Sequence, residues 1–341
     1  MENTPTALLQ GNRKFTWFKS AKSSPSEYEA YTVGQRSSPL RWLHVGWPLR
    51  FEDGSEPFSE ASTAIRCADW EIYRDSSQLW QRPYVAATNH EQQAFGRILD
   101  SVLTAEVAQG MNARWRDQVL GTYLAAWPFV QYGQFLALCY VVREALSDTI
   151  SFAYAFEASD KLRYSQNLVT AILELEGRCP GFNDKAARPA WESDPILVPL
   201  RELLEQVCSS RDWMEVVVAI DLLLEPLVGT LVKQGFFALN AASNGDPVTP
   251  ILVANEQADA KRHLDCAVAL VKLAISDEQH GAANRRQLEG WRQKWTAPIN
   301  RAARALEGLF KINGITVSQP FDASLNRATQ VQRAAWASLG M

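Results

Sequence analysis

From about residue 66 to residue 310, apolar side chains recur at steps of three and four, and the alternation expected of strands is nearly absent. Phe135, Cys139, Val142, Leu146, Ile150, Ala153 and Phe156 form one such stripe, and Leu264, Val268, Val271 and Ile275 form another. Stripes of this kind bury one face of a helix against a core. The chain is therefore expected to be all-α. Helices are expected near 88–109, 112–126, 129–157, 158–176, 195–208, 212–240, 247–277 and 282–310, with Pro226 kinking or splitting the sixth. Three parts follow: an arm over 1–65, a helical domain over 66–310 and a tail over 311–341.

At 341 residues, 47% hydrophobic and 21% charged, the chain has the composition of a soluble globular protein. No apolar run approaches the roughly 18 to 20 residues of a membrane span. Met1 is followed by a polar run without a basic region and apolar stretch, so a cytoplasmic location is expected. The five cysteines are scattered and never in Cys-x-x-Cys, which argues against a disulfide framework, a zinc site or an iron–sulfur site. A net charge of −4 without a long basic run leaves no electrostatic footprint for nucleic acid.

The arm is broken by prolines and glycines yet rich in aromatic rings, including Trp17, Phe18, Tyr28, Trp42 and Trp47. Solvated disordered segments are poor in such rings. Two placements are open: the arm wraps its own helical body, or these five residues lie on a partner, where aromatic residues concentrate.

Few residues offer chemistry. Of four histidines, His44 and His90 have no acidic partner at helical spacing, and Asp277 with His280 has the look of a charged helix end. Asp277 and His280 otherwise have a spacing compatible with one metal. Phosphate-binding glycine loops, a nucleophile elbow and the His-Glu-x-x-His motif are missing. Two segments remain, Asp160-Lys161-Leu162-Arg163-Tyr164-Ser165-Gln166 and Asp259-Ala260-Lys261-Arg262-His263-Leu264.

These segments resemble the helices of di-iron carboxylate proteins that carry Glu-x-x-His, whose i and i+3 side chains share one helix face and bind iron together. Here the Glu and His places hold Lys161 and Tyr164 in the first helix, and Ala260 and His263 in the second. The stretch Asn244-Gly245-Asp246-Pro247-Val248-Thr249-Pro250 ahead of the second segment is similar to a loop in the iron-binding α subunit of bacterial multicomponent monooxygenases, which oxidise methane, phenol, toluene, alkenes and propane. Arg13 to Phe18, Pro25 to Glu29 and Asp69 to Tyr84 resemble the arm and first helix of the β subunit, a metal-free paralogue of α. The chain looks like that β subunit.

The resemblance implies a ferritin-like helical bundle that lacks the di-iron ligands. Two further glutamate ligands of the α pattern would fall near Gln131 or Gln134 and near Glu225. It implies no catalytic or metal residue in this chain and no cofactor of its own. A partner α subunit in an αβ or (αβ)2 assembly would hold the di-iron centre. A reductase with FAD and 2Fe-2S would pass electrons from NADH, and a small regulatory or coupling protein would bind the hydroxylase. A lysine at an internal bundle position must be paired or reach solvent, so Lys161 either pairs with a carboxylate such as Glu225 or extends outward. His263 reads as a hydrogen-bonded remnant. The alternatives are a stand-alone ferritin-like scaffold or binding protein, and an enzyme built on Asp277 and His280.

Overall fold

A computed structural model describes residues 25–35, 52, 54 and 59–341. Trp17, Phe18, Trp42 and Trp47, and the question of where they dock, lie outside the described residues.

Four long helices make the core. The first, α4, begins with wide i→i+5 turns over Trp115–Leu124 and continues as an α-helix over Ala125–Glu144. It ends at a short turn where the Ser147 hydroxyl accepts the N–H of Ile150 and starts α5, Asp148–Arg178. The pair is an antiparallel hairpin. The third, α8, starts at Trp213–Val217 under an Asp212 cap, runs in wide turns over Val218–Ala238 and closes with Leu239–Ala241. The fourth, α9, is Thr249–Ile275. Before them stand α1 (Glu27–Thr32), α2 (Gln81–Val102) and α3 (Ala105–Gly110); between the pairs lie α6 (Ala187–Ser193) and α7 (Val198–Cys208). After them come α10 (Gly281–Ala305), α11 (Glu307–Phe310) and α12 (Phe321–Ala337). No strand occurs among the described residues.

Helix α8 is the axis of the molecule. From Val216 to Leu224 every side chain is buried, because α9, α10 and α12 surround it. Pro226 neither splits it nor ends it, contrary to the sequence expectation of a split. An α-helix would lose a hydrogen bond and clash with the carbonyl four residues back. The wide turns displace that ladder, and at their end Leu239 donates to Gln234, five residues earlier. Pro128 sits just beyond the wide turns of α4 in the same way, where Ala125 donates to Leu120. Wide turns of this kind are rare in helices and frequently mark functional positions.

Other boundaries moved as well. The stripe expected as one helix over 129–157 is split by the turn after Glu144, and the apolar period runs across it because both helices turn an apolar face to the same core. Residues 311–341 are not a loose tail. Helix α12 packs along α8, with Phe321 and Trp336 buried and the Trp336 indole donating to the Leu222 carbonyl. Its sequence period is faint because Ser324, Ala328 and Ala335 face the core with small side chains.

The Asn-Gly-Asp loop fixes where α9 begins. The Asp246 carboxylate accepts the N–H groups of Val248 (2.9 Å) and Thr249 (3.1 Å) and the Trp115 indole (2.9 Å). This satisfies orphan donors at the helix start and ties it to α4. Gly245 has φ 74°, and a Cβ there would meet the Gly110 carbonyl at 3.3 Å, so the turn requires glycine.

Tyr28, one of the five arm residues with two placements open, turns inward. It is 3% exposed, and its hydroxyl accepts the Asp75 N–H at 3.0 Å. Burial pushes its phenol up to about 12. Its neighbour Tyr31 is 55% exposed and stacks on Trp80 at 4.5 Å. This part of the arm packs on its own body.

Candidate functional site

The two segments singled out in the sequence meet at the centre of the bundle. Asp160 and Arg163 lie one turn apart on α5, and Asp259 and Arg262 occupy the matching places on α9. Each arginine bonds its own aspartate and the one opposite. Arg163 reaches Asp160 at 3.1 Å and Asp259 at 2.7 Å, while Arg262 reaches Asp259 at 3.2 Å and also donates to Asp160. The result is a near-twofold clamp across the helix pair. Tyr84 on α2 adds its hydroxyl to Asp160 at 3.0 Å, and Tyr164 donates to Asp259. Burial opposes the charge on Asp160, but His263, Arg262 and Arg163 outweigh it and hold the carboxyl down at about 2.

Inside the clamp the symmetry is lost. Lys161 is 1% exposed, and its ammonium lies 3.4 Å from Glu225 on α8. The pairing expectation holds, and the outward extension is overturned. A second lysine, Lys233, completes the arrangement at 2.7 Å from Glu225 and 2.7 Å from Glu256 of α9. Two α4 amides finish it, Gln134 donating to Glu225 (2.7 Å) and Gln131 to Glu256 (2.9 Å). Burial works against the charges of Glu225 and Lys233. For Glu225 the two ammonium groups prevail and keep its carboxyl well below the ordinary range, and for Lys233 the two carboxylates keep the ammonium well above. Gly229 leaves room for the Glu225–Lys233 pair, since a Cβ there would stand 2.5 Å from Oε2 of Glu225 and 3.2 Å from Cε of Lys233.

A third set lies between these two. His263 is buried, with Nε2 3.0 Å from Asp160 and Nδ1 3.7 Å from Glu157. Asp221 of α8 is 2% exposed and faces Glu157. Burial and the neighbouring Glu157 raise the Asp221 carboxyl well above its usual value against the pull of Lys161. Ala260 contributes a methyl group to the wall of a cavity of about 350 Å³ beside these groups.

The donor set does not suit a pair of irons. Lys161 and Lys233 place two ammonium charges against the glutamates that a cation would need. Ala260 offers no donor, and the Tyr164 hydroxyl is spent on Asp259. Among the described residues no group of three or more His, Cys, Asp and Glu side chains is placed to hold a metal ion. Asp277, which the sequence offered with His280, serves the backbone. The Asp277 carboxylate accepts the N–H groups of Ala68 (2.7 Å), Gln279 (2.9 Å) and His280 (2.8 Å), which closes the turn between α9 and α10.

Sequence reasoning located Lys161, Tyr164, Ala260, His263 and Glu225 and named Gln131 and Gln134 without choosing between them. Both glutamines serve. It missed Lys233, Glu256, Asp221 and Glu157. A signal existed: between Val216 and Phe237 the only charged residues are Asp221, Glu225 and Lys233, and charges on a wholly apolar helix must find partners inside. No described helix is long and apolar enough to cross a membrane.

Known proteins share this arrangement of helices. The chain spans the β subunit of the hydroxylase component of toluene 4-monooxygenase from Ectopseudomonas mendocina at 27% identity over 85% of this chain and 88% of that one. The small subunit of the hydroxylase component of propane 2-monooxygenase from Rhodococcus jostii RHA1 is 29% identical over 95% of this chain and 86% of its own length. The β chain of methane monooxygenase component A from Methylococcus capsulatus Bath is 29% identical over the same shares, 95% and 86%. Among solved structures, a chain of toluene 4-monooxygenase superposes with a TM-score of 0.72 at 23% identity, covering 86% of this chain and 100% of that one. Phenol hydroxylase from Pseudomonas sp. OX1 gives 0.73 at 20% identity over 93% and 91%. Residues 47–278 match the methane/phenol/alkene hydroxylase family, and the chain belongs to that family.

Proposed function

We propose that this chain is the non-catalytic β subunit of a di-iron monooxygenase hydroxylase, which stabilises and organises an iron-bearing α subunit that oxidises a small hydrocarbon by hydroxylation or epoxidation. The observation that carries the reading is the pair of buried lysines. Lys161 and Lys233 neutralise Glu225 and Glu256 at the bundle centre, so this chain supplies from its own side chains the positive charge that a metal site would take from iron. The names of its relatives support the assignment, since they are small or β subunits of hydroxylase components.

On this reading the α subunit holds the iron and activates O2, in an αβ or (αβ)2 assembly. A reductase with FAD and 2Fe-2S delivers electrons from NADH, and a regulatory protein docks on the hydroxylase. The chain works in the cytoplasm. Two homologous bundles can pair through one pseudo-twofold face, and only one needs to keep costly unneutralised carboxylates. The test is co-expression with an α subunit carrying two intact Glu-x-x-His motifs. The two chains should co-purify in equal amounts with iron following α, and oxygenase activity should require both. A monodisperse chain that ignores α would favour the stand-alone scaffold.

A further inference from the structure

A cavity lined from α5, α8, α9 and α12, which reaches inward to Lys161 and Asp221 and opens to solvent past Gln257, Lys261 and Val331, has the size of a ligand site, about 350 Å³ against the roughly 300 to 1,000 Å³ usual for small-molecule pockets. Pro226, Ala260, Leu264 and Val331 give it an apolar wall, and its polar lining includes Lys161, Asp221 and His263. Those polar groups are incompletely used. Neither Asp221 oxygen receives an N–H or O–H from the described chain, and His263 Nδ1 has no hydrogen-bond partner there. Lys161 has three N–H donors and Glu225 at 3.4 Å as its ion-pair partner. Buried polar groups left in this condition call for a partner.

Charge decides what that partner is. Lys161 and Lys233 are balanced by Glu225 and Glu256, and Arg163 and Arg262 by Asp160 and Asp259. An anion would meet Glu225, and a cation would meet Lys161 and Lys233. A neutral hydroxyl fits both requirements, because it accepts from Lys161 and donates to Asp221 or His263. Its carbon skeleton would lie against Pro226, Leu264 and Val331. We infer that this cavity is a binding site for a small neutral alcohol.

The site is complete within this chain and does not depend on the α subunit. Cyclohexanol is a suitable probe, with methylcyclohexane as its hydroxyl-free counterpart. Titration of the purified full-length chain, followed by ligand-observed NMR, should give saturable one-to-one binding of cyclohexanol, and methylcyclohexane should bind at least tenfold more weakly. A260F, which fills the cavity from α9, should abolish saturation, and L264W should do the same from the same wall, each checked for an unchanged helical circular dichroism spectrum. If one variant fails to fold, the other carries the test, and competition by a longer alcohol in the unaltered chain stands beside both. Absence of saturable binding, equal binding of both probes, or saturation that survives a folded filling variant would overturn the assignment and leave the cavity to water.

Discussion

The Asp–Arg clamp and the lysine cluster are neighbours in one bundle, the first joining α5 to α9 and the second drawing in α4 and α8 as well, and they differ in kind. The clamp is symmetric: Asp160 and Arg163 on α5 answer Asp259 and Arg262 on α9, and each arginine bonds both aspartates. One residue further along each helix the correspondence ends, with Lys161 answering to Ala260 and Tyr164 to His263. The outer ring holds two helices in register, a task that survives any change of chemistry. The inner ring had only to neutralise buried glutamates, and lysines do that as well as any cation. A buried ion pair is weak evidence of stability in itself, but breaking one strands a charge. The comparison therefore turns on which partners are removed.

The largest effect should come from the inner ring. K233M leaves Glu225 and Glu256 facing each other without their shared ammonium, and a loss of about 3 to 5 kcal/mol is expected in urea unfolding. Replacing Glu225 and Glu256 by glutamine in the same chain should recover much of that loss; no recovery would mean that Lys233 acts by packing alone. In the clamp, D160N should cost about 2 to 3 kcal/mol, because Arg163, Arg262 and His263 lose one shared carboxylate while Asp259 still holds both arginines.

The two regions should also part in their response to pH. Asp160 has a folded value of about 2 against an ordinary 3.8, so its contribution is complete above the unfolded value and is lost as pH falls toward about 2. That contribution is about 2 kcal/mol by the size of the shift, and D160N should flatten the acid limb of stability against pH. Asp221 has the opposite sign. Its carboxyl is raised, so it favours the folded state below the unfolded value and loses that advantage as pH climbs through the folded one. D221N should be neutral or stabilising at pH 8, by up to about 2 kcal/mol. A destabilised D221N at that pH would mean that the carboxyl is charged and paired.

The smallest effect is expected at Gly229. A Cβ there displaces the far end of Glu225, a flexible side chain, so G229A should cost only about 1 kcal/mol and lengthen the contact with Lys233. A large loss would show that the Glu225 carboxylate cannot shift within its contacts to Lys161, Lys233 and Gln134.

Much of this arrangement was legible in the residues. The helical period announced the bundle, and a lysine inside it had either to pair with a carboxylate such as Glu225 or to extend outward, a choice the sequence left open. Glu225 and Lys233 stand eight residues apart, outside the i+3 and i+4 rule for helical pairs, and only the wide turns and the missing Cβ of Gly229 bring them together. The break after Glu144 was hidden for a different reason. Apolar residues continue on both sides of it in the same spacing, while the capping Ser147 was the only local mark of a new helix. Proline misled in the other direction, since Pro128 and Pro226 stop helices only where the i→i+4 ladder is intact.

Iron analysis of the purified chain tests the account most directly. After exposure to ferrous iron and desalting, the chain alone should retain none in stoichiometric amount, and K161E should not restore binding while Lys233 still occupies the glutamates. Two irons per chain in the unaltered protein would contradict the reading of this bundle as one whose metal charge has been replaced by lysine.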